Sequence, residues 1–447
     1  MSNPGEADLT PINSLRDLAG WFAAGSKPRE QWRVGTEHEK VGFYHQGFAP
    51  PPYEPNGIAA LLEGLTAKGW ERIEDTGKLI GLKRGMASVS LEPGGQFELS
   101  GAPVATIGET EAELDDHLRD LREVAEPLGI GFAGLGFHPI ATREVMPWMP
   151  KTRYAIMRNY MPRVGDMGLD MMLRTCTVQA NLDFGDEADM VQKLRISLAL
   201  QPLATALFAN SPFREGEATE YRTLRGHVWT RTDPDRTGIP AVAFEDGFGF
   251  ERFADWVLDV PMYFVMREGR FVDATGTTFR DFMAKGLPTD ASIRATMGDW
   301  ADHVTTVFTD VRLKRFLEMR GADMGSAAMV SALPAFWVGL LYDDAAQKAA
   351  SNLVRGWSVA QMQALRADVP MRALDAAIGG LTLREVARDV LTISREGLRA
   401  RGHGEERFLE PLERIAASGE TQADHWLRRN AEAWGGDVSR VFGEAAL

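Results

Sequence analysis

Four stretches of this chain carry the period-two pattern of strands with one dry and one wet face. In 174–184 the alternation is clean. Cys176, Val178, Ala180, Leu182 and Phe184 fall on one side, and Thr175, Thr177, Gln179, Asn181 and Asp183 on the other. Between Arg33 and Phe43, Glu37 and Glu39 lie two residues apart, so on a strand they point the same way. Between Ser88 and Gly101, Glu92 and Glu98 have matching parity and share a face if Pro93-Gly94-Gly95 leaves the register intact. Such a triplet inside a strand pattern indicates a bulge or the close approach of a ligand. Val311–Asp323 reads as one more two-faced strand, with Arg312, Lys314, Glu318 and Arg320 on its polar side. These stretches predict an antiparallel sheet with its back on a core and its front lining a wet site.

Patterns of period 3.6 predict helices at Leu15–Gly25, Gly57–Lys68, Glu109–Pro127, Ala188–Ala209 with a kink near Pro202, and Asp299–Phe308. Lys78–Arg84 and Ser88–Leu99 read as paired strands, Ile130–Phe137 as a strand, and Tyr263–Arg267 with Phe271–Asp273 as a hairpin. From Trp357 onward the pattern is helical, with capping boxes at Ser358–Gln361 and Thr382–Glu385 and no catalytic pattern. The expected fold is α+β, with one domain over 1–356 and a helical C-terminal subdomain over 357–447 packed on it. Gly129, Gly131 and Gly134 have the spacing of a dinucleotide-binding loop but follow a helix and sit in a strand pattern, so that motif is rejected.

Two carboxylates side by side repel unless a cation lies between them, and a divalent metal with oxygen ligands is the usual answer. A lone Glu-x-Glu is more often a solvated strand face. A second pair of carboxylates with matching parity, Glu92 and Glu98, moves the balance towards a wet, metal-rich site. Arg312 and Lys314 fit either surface ion pairing or contacts to a bound polyphosphate.

Composition narrows the class. The 447 residues are 44% hydrophobic and 25% charged, an ordinary globular balance. The net charge of −14 argues against nucleic-acid binding. The single cysteine, Cys176, excludes an internal disulfide and a zinc finger, and favours a reducing compartment. No apolar run is long enough for a membrane span, and Met1–Thr10 lacks the pattern of a signal peptide, so a cytoplasmic location is expected. No phosphate-loop or His-Glu-x-x-His motif is present.

Several long runs together resemble glutamate–cysteine ligase of the plant and proteobacterial type. They are Val34–Lys40, Leu91–Gly101, Met171–Phe184 and Arg312–Asp323, with support from 157–162, 207–213, 260–264 and 332–342. The resemblance implies a glutamine synthetase-like fold, with a curved, mostly antiparallel sheet around the site and helices outside. It also implies ATP-dependent ligation of the glutamate side-chain carboxylate to the amine of cysteine through a γ-glutamyl phosphate. The product, γ-glutamylcysteine, is the first intermediate of glutathione synthesis. Magnesium, or manganese, would be held by Glu37, Glu39, Glu92 and Glu98, with Glu318 as a fifth candidate ligand and Arg320 completing the catalytic set. Arg312, Lys314 and Gln179 would contact ATP. Arg153 and Arg225 match arginines that hold glutamate, and Tyr263 matches a residue of the cysteine pocket. The partners implied are these small molecules alone, with the chain a monomer or weak homodimer. A related ligase using another amine, or a non-catalytic nucleotide-binding relative, stays open on the sequence alone. The plant members carry cysteine pairs that switch activity; where they read Asp-Cys-Thr-Gly, this chain reads Asp273-Ala-Thr-Gly276.

Overall fold

The computed structural model describes residues 8–447, so the first seven residues of the polar N-terminal stretch lie outside the described residues. The main sheet has nine strands: β1 Val34–Tyr44, β2 Glu71–Asp75, β3 Lys78–Arg84, β4 Ala87–Leu91, β5 Phe97–Ser100, β6 Ile130–Ala133, β7 Thr177–Leu182, β8 Val311–Leu313 and β9 Leu317–Asp323. Their order is β8-β9-β7-β1-β5-β4-β3-β2, and β6 pairs with the second half of β1. Every pairing in this sheet is antiparallel. The long β1 is its centre, flanked by β5 and β7 along the segment that carries Glu37 and Glu39.

Two of the expected strands are in fact hairpins. Ser88–Leu99 divides into β4 and β5, because Pro93-Gly94-Gly95 reverses the chain instead of bulging it. Val311–Asp323 folds back on itself, with Lys314 N–H donating to the Phe316 carbonyl at 2.8 Å. The Ile130 strand stops at Ala133, short of Phe137.

The back of the sheet rests on helices that are apolar nearly all round. Val178, Ala180 and Leu182 are fully buried, as is most of helix Ala327–Leu341. Helix Leu383–Arg401 crosses the latter closely, since a Cβ on Gly397 would lie 1.9 Å from the Gly339 carbonyl oxygen. One continuous apolar core runs from Leu18 to Phe442, so the helices after Trp357 share it with the sheet. The capping boxes of helices Val359–Arg372 and Leu383–Arg401 form as the sequence indicates. Among the described residues no helix is long and apolar enough to cross a membrane.

Candidate active site

Register decides which side chains meet. Glu39 on β1 stands opposite Glu98 on β5, and Glu98 stands opposite Ser90 on β4. One step along, Glu37 is flanked by Gln179 on β7 and Ser100 on β5. Cross-strand partners share a face, so three carboxylates lie side by side. Glu92 joins them from the turn after β4. Its N–H donates to the Gln96 carbonyl at 3.1 Å, and its own carbonyl accepts from Gly95 N–H at 2.9 Å. The Gln96 side chain clamps this turn, accepting from Gly94 N–H at 2.9 Å and donating to the carbonyls of Met172 and Thr175 at 3.2 and 2.9 Å. Gly95 has φ +85° and a Cβ on Gly94 would sit 2.1 Å from the Leu173 carbonyl oxygen, so both positions require glycine.

Crowding sets the charges. Burial, then Glu92 and Glu98, push the Glu39 carboxyl well above the usual range, with Arg225 opposing. Burial, then Glu318 and Glu98, raise Glu37, whose Oε1 accepts from Asn181 Nδ2 at 2.8 Å. Glu92 Oε1 is buried with no hydrogen-bond partner among the described residues. Repelling carboxylates with an unsatisfied buried oxygen suit a cation. Among the described residues no three His, Cys, Asp or Glu side chains converge into a ready-made metal cage.

A cationic group flanks the carboxylates on the β8–β9 side. Glu318 is fully buried and ion-paired to Arg312, Lys314 and Arg320 at 2.6, 2.8 and 2.8 Å. Burial alone would raise its carboxyl, but the three cations outweigh it and hold the group well below the usual range. Glu318, a candidate metal ligand on sequence, is thus the counter-ion of three cations. Arg320 Nη1 also donates to Gln179 Oε1 at 2.8 Å.

Glu39, Glu92, Gln179, Arg225, Arg312 and Arg320 line one cleft, together with Trp229 and Phe308. Arg225, on helix Leu224–Thr230, donates to the Arg320 carbonyl at 2.8 Å and lies 3.9 Å from Asp323 Oδ1. Arg225 Nε has no hydrogen-bond partner among the described residues. Arg153 and Tyr263 are not on the cleft wall. Arg153 opens helix Arg153–Val164, one turn before Met157, which does line the cleft. Tyr263 is fully buried, with the Arg236 guanidinium 3.8 Å over its ring and Phe308 6.3 Å away, so it backs the cleft. A second cleft shares Arg225, Trp229, Phe308 and Arg320 and adds Arg366 from helix Val359–Arg372. Arg366 pairs with Asp310 at 2.6 Å and donates to the Trp229 carbonyl at 3.2 Å. The C-terminal helices, read from sequence only as a cover for the sheet, therefore reach the rim of the site. Sequence reasoning also passed over Asn181 and Asp323. Only Asn181 left a signal there, through its alternation with Gln179.

The family model described as glutamate–cysteine ligase family 2 matches residues 33–444. The chain belongs to that family. A chloroplastic glutamate–cysteine ligase of Brassica juncea is 51% identical over 429 residues, which covers 96% of this chain and 83% of that one. The chloroplastic glutamate–cysteine ligase B of Oryza sativa subsp. japonica is 48% identical over 437 residues, covering 98% and 88%. The crystal structure of a glutamate–cysteine ligase of Francisella tularensis in complex with AMP superposes with a TM-score of 0.54 over 98% of this chain and 90% of that one. At 11% identity that likeness speaks for the fold. As a member of glutamate–cysteine ligase family 2, the chain is an enzyme of the ligase class. The cytoplasmic location expected from sequence is corrected by the relatives, which are named as chloroplastic enzymes. A reducing compartment and a polar N-terminus do not distinguish between the two locations.

A redox switch built on paired cysteines is not expected in this member of the family. Cys176 is fully buried, and burial, then Glu39, push its thiol well above the usual range, so the reactive thiolate is disfavoured. Activity and elution volume on a sizing column should be the same with and without dithiothreitol. A reversible, several-fold loss of activity on mild oxidation would contradict this.

Proposed function

We propose that this chain makes γ-glutamylcysteine by phosphorylating the side-chain carboxylate of glutamate with ATP and then exchanging the phosphate for the amine of cysteine. Joining glutamate to cysteine is the activity named for its relatives. The observation that carries the route is a face of four carboxylates lying beside a surplus of buried cations. In the first step an oxygen of the glutamate side chain bonds to the γ-phosphorus as the bond to the bridging oxygen breaks, and ADP leaves with that electron pair. In the second, the cysteine nitrogen bonds to the carbonyl carbon, the carbon–oxygen bond to phosphate breaks, and the nitrogen gives up a proton. No protein nucleophile is required. The work is positioning and charge stabilisation.

Magnesium fits the donors present. It is commonly bound through one or two carboxylates plus substrate phosphates rather than by an all-protein cage, which suits carboxylates that meet in pairs. Glu37, Glu39, Glu92 and Glu98 would hold it, and manganese would fit the same oxygens. When bound, such an ion neutralises charge where two anions meet. Arg312, Lys314 and Arg320, with Gln179, outnumber their one counter-ion and suit the phosphates. Arg225 offers a planar fork to a glutamate carboxylate, Arg153 joins it from the start of the helix that carries Met157, and Tyr263 shapes the cysteine side through Phe308. The helices of 357–447 form a subdomain that braces this arrangement through Arg366, and the chain works as a monomer or weak homodimer.

The test is product identity. Purified protein given ATP, magnesium, glutamate and cysteine should form γ-glutamylcysteine by mass spectrometry, and other amines in place of cysteine should release phosphate far more slowly. Equal rates with an unrelated amine would contradict cysteine as the substrate.

A further inference from the structure

Lys151 is a buried cation beside the carboxylate face that the route above leaves unused. Its side chain is 5% exposed. An ammonium carries three donors, yet among the described residues its one hydrogen bond goes to Ser90 Oγ at 2.6 Å. The Tyr154 ring lies 5.7 Å away. Burying an ammonium with unmet donors is costly, and the fold holds this one in place from both sides. Thr152 donates from N–H and Oγ1 to Asp75 Oδ2 at 2.8 and 3.0 Å, and Tyr154 OH donates to the Leu91 carbonyl at 2.6 Å.

Between these anchors Lys151 reaches Ser90, the cross-strand neighbour of Glu98. On the far side of Ser90 stands Gly81, which puts no side chain in the way. Burial, then Arg153, draw the ammonium down to about 8 against the pull of Glu92 and Glu98. The carboxylates are therefore flanked twice, by Arg312, Lys314 and Arg320 from β8–β9 and by Lys151 over β4.

We propose that Lys151 is a substrate-contacting residue of the ligase site, and that its ammonium holds the side-chain carboxylate of glutamate and then the oxygens of the acyl phosphate. This rests on the phosphorylation route proposed above. The ammonium draws the anionic acceptor towards the γ-phosphorus and offsets the charge that the acyl phosphate carries.

Positional isotope exchange in ATP labelled at the β,γ-bridge, run with glutamate and magnesium but no cysteine, reads acyl phosphate formation alone. Lys151→Met, which keeps the shape and removes the charge, should lower this exchange and kcat by about a hundred-fold or more. ADP affinity should stay within about three-fold, a split that a merely structural role would not give. Exchange within about three-fold of the parent in folded Lys151→Met would overturn the proposal. Should that variant fail to fold, Lys151→Arg decides, because it keeps the charge but displaces it. A glutamate KM raised about ten-fold with an unchanged ATP KM supports the contact, and unchanged kcat and glutamate KM overturn it. A parent protein with no exchange at all would instead count against the phosphorylation route.

Discussion

Glu39→Gln should lower kcat by about a hundred- to a thousand-fold, the cost of removing a principal electrostatic stabiliser, while making the metal-free protein more stable near neutral pH. The two effects share one cause. Glu39 sits in register with Glu98, and burial, then Glu92 and Glu98, push its carboxyl well above the usual range. A carboxylate raised in the folded state favours folding below its unfolded pKa and loses that contribution as pH rises through the folded value. At neutral pH its charge therefore costs stability, and glutamine, nearly isosteric, removes the cost. Thermal unfolding in chelator should show a higher Tm for Glu39→Gln at neutral pH, with the gap closing at about pH 4. Full turnover in the folded variant would remove Glu39 from the site. A lower Tm at neutral pH would contradict the electrostatic account.

Arg225→Ala should raise the glutamate KM by roughly 30- to 5,000-fold, which corresponds to the 2–5 kcal/mol lost when a buried charge is left without its partner. The guanidinium is 2% exposed on its side chain, holds the Arg320 carbonyl, and keeps Nε without a partner in the cleft. Asp323 orients it at 3.9 Å and is itself held by Asn210 N–H, Ser211 Oγ and Thr223 Oγ1 at 2.9, 2.6 and 2.9 Å. Lysine should rescue poorly, because a single ammonium cannot reproduce the fork. Steady-state kinetics at saturating ATP and cysteine measure this. An unchanged glutamate KM in Arg225→Ala would misplace the substrate.

The carboxylate face was legible where strand parity alone decides it. Glu37 and Glu39 required only the two-residue period of β1. The parity of Arg312, Lys314, Glu318 and Arg320 survived the unforeseen hairpin because Arg312 pairs with Glu318, and cross-strand partners share a face. Glu92 reached the site by another route, since Pro93-Gly94-Gly95 turns the chain and places it in the turn itself. Parity failed at Asp323. Register shifts between Met319 and Ala322 on β9, so Asp323 pairs with Thr177 on the polar face that its odd number denies it. Lys151, Arg225 and Arg366 come from a loop and two helices far apart in the chain, and no local period can place such groups together. The resemblance to a family supplied Arg225 and Arg153, but it could not show that the Tyr263 ring lies behind Phe308.

The central claim is that the glutamate side chain itself takes the phosphoryl group. Glutamate carrying ¹⁸O in its side-chain carboxylate, incubated with ATP, magnesium and cysteine, tests it directly. The account predicts that one labelled oxygen passes into inorganic phosphate for each γ-glutamylcysteine formed, as read by mass spectrometry of the phosphate. Product formed together with unlabelled phosphate would contradict it.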